Sequence, residues 1–147
     1  PYTYLLVNSY LYRIAYLMVR YFRADTPEES SQVSGTNYHI QQAVDYIEKH
    51  FKEDLSAADV AAKAGLSREH FSRIFREYTG VTFKRFLTSL RLAVAYRLLV
   101  GTELSTMDIA LSAGFPDSQN FSRHFKQHYG CPPAEYRRTC AQPSARK

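Results

Sequence analysis

Residues 55–80 and 104–130 of this 147-residue chain are two copies of one pattern. With an offset of 49, Leu55, Ser56, Asp59, Ala61, Ala64 and Gly65 meet Leu104, Ser105, Asp108, Ala110, Ala113 and Gly114. One residue inserted after the glycine moves the offset to 50. Phe71, Ser72, Arg73, Phe75 and Gly80 then meet Phe121, Ser122, Arg123, Phe125 and Gly130. Such a chain has to fold as two like units with something joining them.

The unit is helical. Small residues (Ala61, Ala64; Ala110, Ala113) let a short helix approach its neighbour, and a glycine relieves the turn into a second helix, the outline of a helix-turn-helix. Gly65 and Gly114 are therefore expected at positive φ or where helices nearly touch. Between residue 36 and Pro116 there is no proline, and no stretch alternates with period two. Five glycines (65, 80, 101, 114, 130) each follow a helical pattern, where a C-terminal cap belongs. The periodicity predicts helices over 38–51, 56–64, 68–79, 83–100, 105–113, 118–129 and 133–138, an all-α fold. Ser56, Ser67, Thr82 and Ser105 stand where N-caps are needed. Ile40, Val44, Ile47 and Phe51 should face inward from the first helix. The helix joining the units spans about 27 Å at about 1.5 Å per residue. Its expected inward stripe is Phe83, Phe86, Leu90, Val94 and Leu98.

Composition excludes several classes. The two cysteines, Cys131 and Cys140, are nine apart and make no Cys-x-x-Cys pair, so a disulfide framework or four-cysteine zinc module is out and a reducing, cytoplasmic setting suits. No phosphate-binding glycine loop, nucleophile elbow or zincin motif is present, so no catalytic residue, cofactor or enzymatic activity is expected. His124 and His128 are spaced i, i+4 with Cys131 nearby, yet no fourth ligand is evident, and no metal is expected. The net charge is +5, and residues 56–100 carry eight basic against three acidic side chains, which suits a polyanionic partner.

In the first unit Phe71, Ile74, Phe75 and Tyr78 form the inward stripe, leaving Arg68, Glu69, Ser72, Arg73 and Arg76 outside. In the second, Phe121, Phe125 and either His128 or Tyr129 point inward, leaving Ser118, Gln119, Ser122, Arg123 and Lys126 outside. Any helical protein has solvated faces. Two basic ones in duplicate, each behind a glycine turn, offer Arg, Gln and Ser to base edges and phosphates in a major groove. The alternative is a helical protein-interaction scaffold without DNA binding.

Over residues 38–138 the chain resembles the AraC/XylS family of bacterial transcription regulators. The resemblance is carried by Ala110-x-x-Ala113-Gly114-Phe115, Asn120-Phe121-Ser122-Arg123-x-Phe125-Lys126 and Gly130-x-x-Pro133-x-x-Tyr136-Arg137. Arg91-Leu92-x-x-Ala95-x-x-Leu98-Leu99 in the joining helix also fits. It implies a seven-helix domain with two helix-turn-helix subdomains joined by a long helix, binding double-stranded DNA, mostly as an activator that works with RNA polymerase. The base-reaching positions would be Arg68, Glu69, Ser72 and Arg73, then Ser118, Gln119, Ser122 and Arg123. Arg76, Lys126 and Arg137 would contact phosphates. Glu69 departs from a wholly basic or neutral face: it either accepts from a cytosine amino group or repels phosphate. Cys131-Pro132 replaces a more usual small polar residue before the proline.

Residues 1–22 are apolar nearly all round, with Leu6, Tyr10, Ile14, Leu17 and Tyr21 on one helical face, but Asn8, Ser9, Arg13 and Arg20 break any membrane span. A core helix of a larger domain, a dimer-forming helix and an interfacial membrane helix all fit. By resemblance, 1–24 would be the end of an upstream effector and dimerisation domain. A small-molecule effector would bind that upstream domain. Residues 25–37, without apolar period and rich in Ser, Thr and Glu, read as a linker, and 139–147 as a flexible tail.

Overall fold

The computed structural model describes residues 31–140, with side chains from Tyr38 to Thr139. The helices are α1 (Ser31–His50), α2 (Ala57–Lys63), α3 (Arg68–Thr79), α4 (Phe83–Gly101), α5 (Thr106–Ser112), α6 (Ser118–Tyr129) and α7 (Pro133–Cys140). Among the described residues there is no strand.

Each start has a local cause. Ser56 accepts from the Asp59 amide while the Asp59 carboxylate accepts from the Ser56 amide, a reciprocal cap at the head of α2. That bonding holds the Asp59 carboxyl below its usual range. Ser67, Thr82 and Ser105 cap α3, α4 and α5 in the same sense, as the sequence predicts, and Asp117 adds a cap at α6. Both short helices end in one geometry. Leu66 and Phe115 donate to the carbonyls of Ala61 and Ala110, five residues back, while Gly65 and Gly114 donate to those of Ala62 and Leu111.

Two cores result. Ile40, Val44 and Ile47 of α1, Val60 and Ala61 of α2, and Phe71, Ile74 and Phe75 of α3 close over Phe83 and Leu87 of α4. Ile109, Ala110, Phe115, Phe121, Phe125, Tyr129 and Tyr136 close over Leu92, Ala95 and Leu99 of the same α4. Tyr129, rather than His128, is the buried residue ending the second stripe.

Three expectations need correction. α1 begins at Ser31, so residues 31–37 of the expected linker are helical; extending a helix already nucleated on Ile40, Val44 and Ile47 needs no apolar period of its own. The helix also stops at His50, leaving Phe51 half-buried in the following turn. Finally, Phe83 is buried as expected, but Phe86, Leu90, Val94 and Leu98 are only half-buried, and Leu87, Leu92, Ala95 and Leu99 fill the cores instead. A single stripe fits one core, whereas α4 serves two that lie at different angles around its axis. The expected helix over 1–22 lies outside the described residues.

The units touch through backbone as well as through α4. A Cβ placed on Gly114 would stand 2.6 Å from Lys52 Cα and 2.8 Å from the Phe51 carbonyl oxygen, so the turn of the second unit rests on the chain leaving α1. From α4, Arg91 Nε donates to the Phe51 carbonyl and Nη2 to that of Glu53, both at 2.7 Å. Gly65, the equivalent turn residue, faces open space.

Candidate nucleic-acid interface

The two second helices present the faces the repeat predicts. On α3 Phe71, Ile74 and Phe75 are buried and Tyr78, the end of the expected stripe, is half-buried, while Arg68, Glu69, Ser72, Arg73 and Arg76 are all exposed. Arg73 is not free of partners: its Nη1 lies 3.1 Å from Glu77 Oε1, an ion pair one turn on, with both side chains more than half exposed. Such a pair is weak in water, so the guanidinium can exchange it for another acceptor. Ser72, Arg73, Arg76 and Glu77 line a shallow depression whose far edge is Thr82, the cap of α4.

On α6, Gln119, Arg123 and Lys126 are exposed, while Ser118 and Ser122 are half-buried. Gln119 and Arg123 share a depression with Asp117 and Asn120. Asp117 is occupied there, accepting from the Asn120 amide at 2.6 Å. The sequence reading did not single out these last two as site residues; Asn120 lies one residue from Gln119 and three from Arg123, a spacing that turns it partly outward.

Arg137 stands apart from both faces. Its Nε donates to the Leu99 carbonyl in the last turn of α4 at 3.3 Å, and the side chain is half-buried. In this structure Nε secures a helix end, the work Arg91 does after α1, while Nη2 is buried with no hydrogen-bond partner among the described residues. The two histidines diverge as well. His124 stacks on Phe115 with ring centroids 6.2 Å apart, and His128 packs edge-on to Tyr129 at 4.7 Å. Burial, then the charges of Arg123 and Lys84, hold the His124 imidazole below its usual range. Burial, then Arg85, does the same to His128. Among the described residues no three His, Cys, Asp or Glu side chains converge as metal ligands, and no helix is long and apolar enough to cross a membrane.

Residues 60–139 match the family model described as a helix-turn-helix domain. In fold and sequence the chain is similar to a transcriptional regulator with an AraC-type DNA-binding domain from Chromobacterium violaceum. The two are 33% identical, with a TM-score of 0.65 over 76% of this chain and 99% of that one. The chain belongs to the AraC/XylS-type helix-turn-helix family. The AraC-type domain here is also similar to that of AdpA, a global transcriptional factor solved in complex with a target DNA. That pair is 30% identical, with a TM-score of 0.67 over 72% of this chain and 97% of that one. Among curated relatives, the lactose operon transcription activator of Staphylococcus xylosus is 32% identical over 134 residues, 90% of this chain and 47% of that protein. The Msm operon regulatory protein of Streptococcus mutans is 31% identical over 91% of this chain and 48% of its own length. The chain thus spans about half the length of these relatives.

Proposed function

We propose that this AraC-type chain is the DNA-reading part of a transcription activator, and that α3 and α6 enter successive major grooves on one face of the duplex. Arg68, Glu69, Ser72 and Arg73, then Ser118, Gln119, Ser122 and Arg123, meet base edges; Arg76 and Lys126 meet phosphates. The observation that carries this reading is the pair of exposed, Arg-bearing helix faces on units held together by α4 and the Gly114 contact. The name of the Staphylococcus xylosus relative favours activation, and none of those named here favours a scaffold that ignores DNA. By the same reasoning residues 1–24 belong to an upstream effector and dimerisation domain. RNA polymerase is then the protein partner and the bacterial nucleoid the place of work.

Successive major grooves recur about every 34 Å, and the 19 residues of α4 span about 28 Å, somewhat less than one turn. A site selected from random duplexes should therefore be asymmetric, with two elements about 10 base pairs apart. Inserting 5 base pairs between them turns one element to the far side, and affinity should fall to that of the stronger element alone. Undiminished affinity for the lengthened site would refute two-groove reading.

A further inference from the structure

Between the two reading faces lies a basic ridge that neither helix-turn-helix supplies. The first turn of α4 follows directly on Thr82, which edges the depression lined by Arg73 and Arg76. The next polar residues, Lys84 and Arg85, are exposed and have no acidic partner within ion-pairing distance among the described residues. α4 packs on both α3 and α6. Lys84 is close enough to His124, and Arg85 to His128, for their charges to be felt by the imidazoles on the flank of α6. Exposed basic side chains therefore stand on α3, on the first turn of α4 and on α6: Arg76, Lys84, Arg85 and Arg123. Nothing in the fold requires these two charges, because they contribute to neither core and cap no carbonyl.

We propose that Lys84 and Arg85 grip the phosphates bordering the minor groove that lies between the two major grooves read by α3 and α6. This rests on the two-groove reading: with helices in successive major grooves, the intervening minor groove faces the first turn of α4, and its phosphates are the anions nearest the ridge. Contacts there carry no base information. They set how closely the centre of the site is drawn in, and the DNA must bend toward the protein if the helices sit somewhat less than one turn apart.

The test uses the whole chain and a 30-base-pair duplex of mixed sequence, with affinity measured by fluorescence anisotropy across a salt series. Each phosphate contact contributes about 0.9 to the slope of log affinity against log salt, which near physiological salt is about fivefold in affinity. Lys84→Ala with Arg85→Ala should flatten the slope by nearly two and weaken binding some 25-fold, by the same factor on a selected site as on mixed sequence. Arg97→Ala, which removes an exposed charge from the same helix, should change neither. If the alanine pair melts early, Lys84→Gln with Arg85→Gln removes the charge and keeps the chain length. An unchanged slope in a folded double variant overturns the ridge and leaves two-groove reading standing. A parent chain that binds no duplex overturns both.

Discussion

Gly65 and Gly114 occupy the same place in the repeat and the same left-handed backbone region, with φ of 69° and 84°. Their surroundings differ, and this separates two costs that usually come together. Gly65→Ala meets nothing within 4 Å, so it bears only the strain of a side chain at positive φ, about 1–2 kcal/mol. Gly114→Ala bears that strain too, and its methyl must also displace Lys52 Cα at 2.6 Å and the Phe51 carbonyl at 2.8 Å. Both obstacles are main chain, so no rotamer change relieves them. Arg91 pins the same carbonyl at 2.7 Å and resists its retreat. Overpacking of this kind adds about 1–3 kcal/mol. In a domain of about 100 residues that difference is a gap of roughly 5–20 °C between the two variants. Thermal melting of both by circular dichroism measures it. Equal melting temperatures would mean that the two units part easily at this contact, and the rigid spacing of α3 and α6 would lose its basis.

Three further outcomes follow from the interface. Arg73→Ala or Arg123→Ala should lose about 1–3 kcal/mol of binding to a selected site with little effect on mixed-sequence duplex, read by competition binding; a uniform loss would reassign that arginine to phosphate. Arg137→Ala should lower the melting temperature and leave the salt slope of DNA binding unchanged, because its Nε is held by the Leu99 carbonyl and its Nη2 is buried away from solvent; a flattened slope at unchanged stability would make it a phosphate contact. His128 is held below its usual range by burial and by Arg85, so as pH falls through the ordinary imidazole range the unfolded chain takes up a proton before the folded one does. Stability should therefore fall as pH drops from about 7 toward 5, and His128→Gln should shrink that fall in urea titrations at several pH values; an identical pH profile would refute it.

Much of the fold was legible because its determinants are local. Ser56, Ser67, Thr82 and Ser105 announce helix starts by chemistry that acts over three residues, and the paired phenylalanines of each unit mark the buried side of α3 and α6. The reading faltered where distant segments decide. No periodicity within α4 reveals that it serves two cores, so Phe86 and Leu90 looked as central as Leu87 and Leu92. The inward turn of Arg137 depends on a carbonyl 38 residues away, and the Arg137-Arg138 dipeptide in the sequence gives no sign of it. Lys84 and Arg85 were passed over for the same reason, because their place beside α3 and α6 comes from packing. Asp117 is different: it stands 50 residues after Ser67, at the same repeat position, and caps α6 by the same three-residue bond, a local signal the sequence already held.

Because α4 gives Phe83 and Leu87 to one core and Leu92, Ala95 and Leu99 to the other, neither unit can be cut out whole. A break near residue 90 would leave each half with a short amphipathic stub, well below the length at which an isolated helix is stable in water. The duplication should thus be visible in sequence but not in thermodynamics. Amide protons in α3 and α6 should exchange through one shared global opening, and the two halves should melt as a single cooperative body. A chain built by copying one unit should then unfold as one.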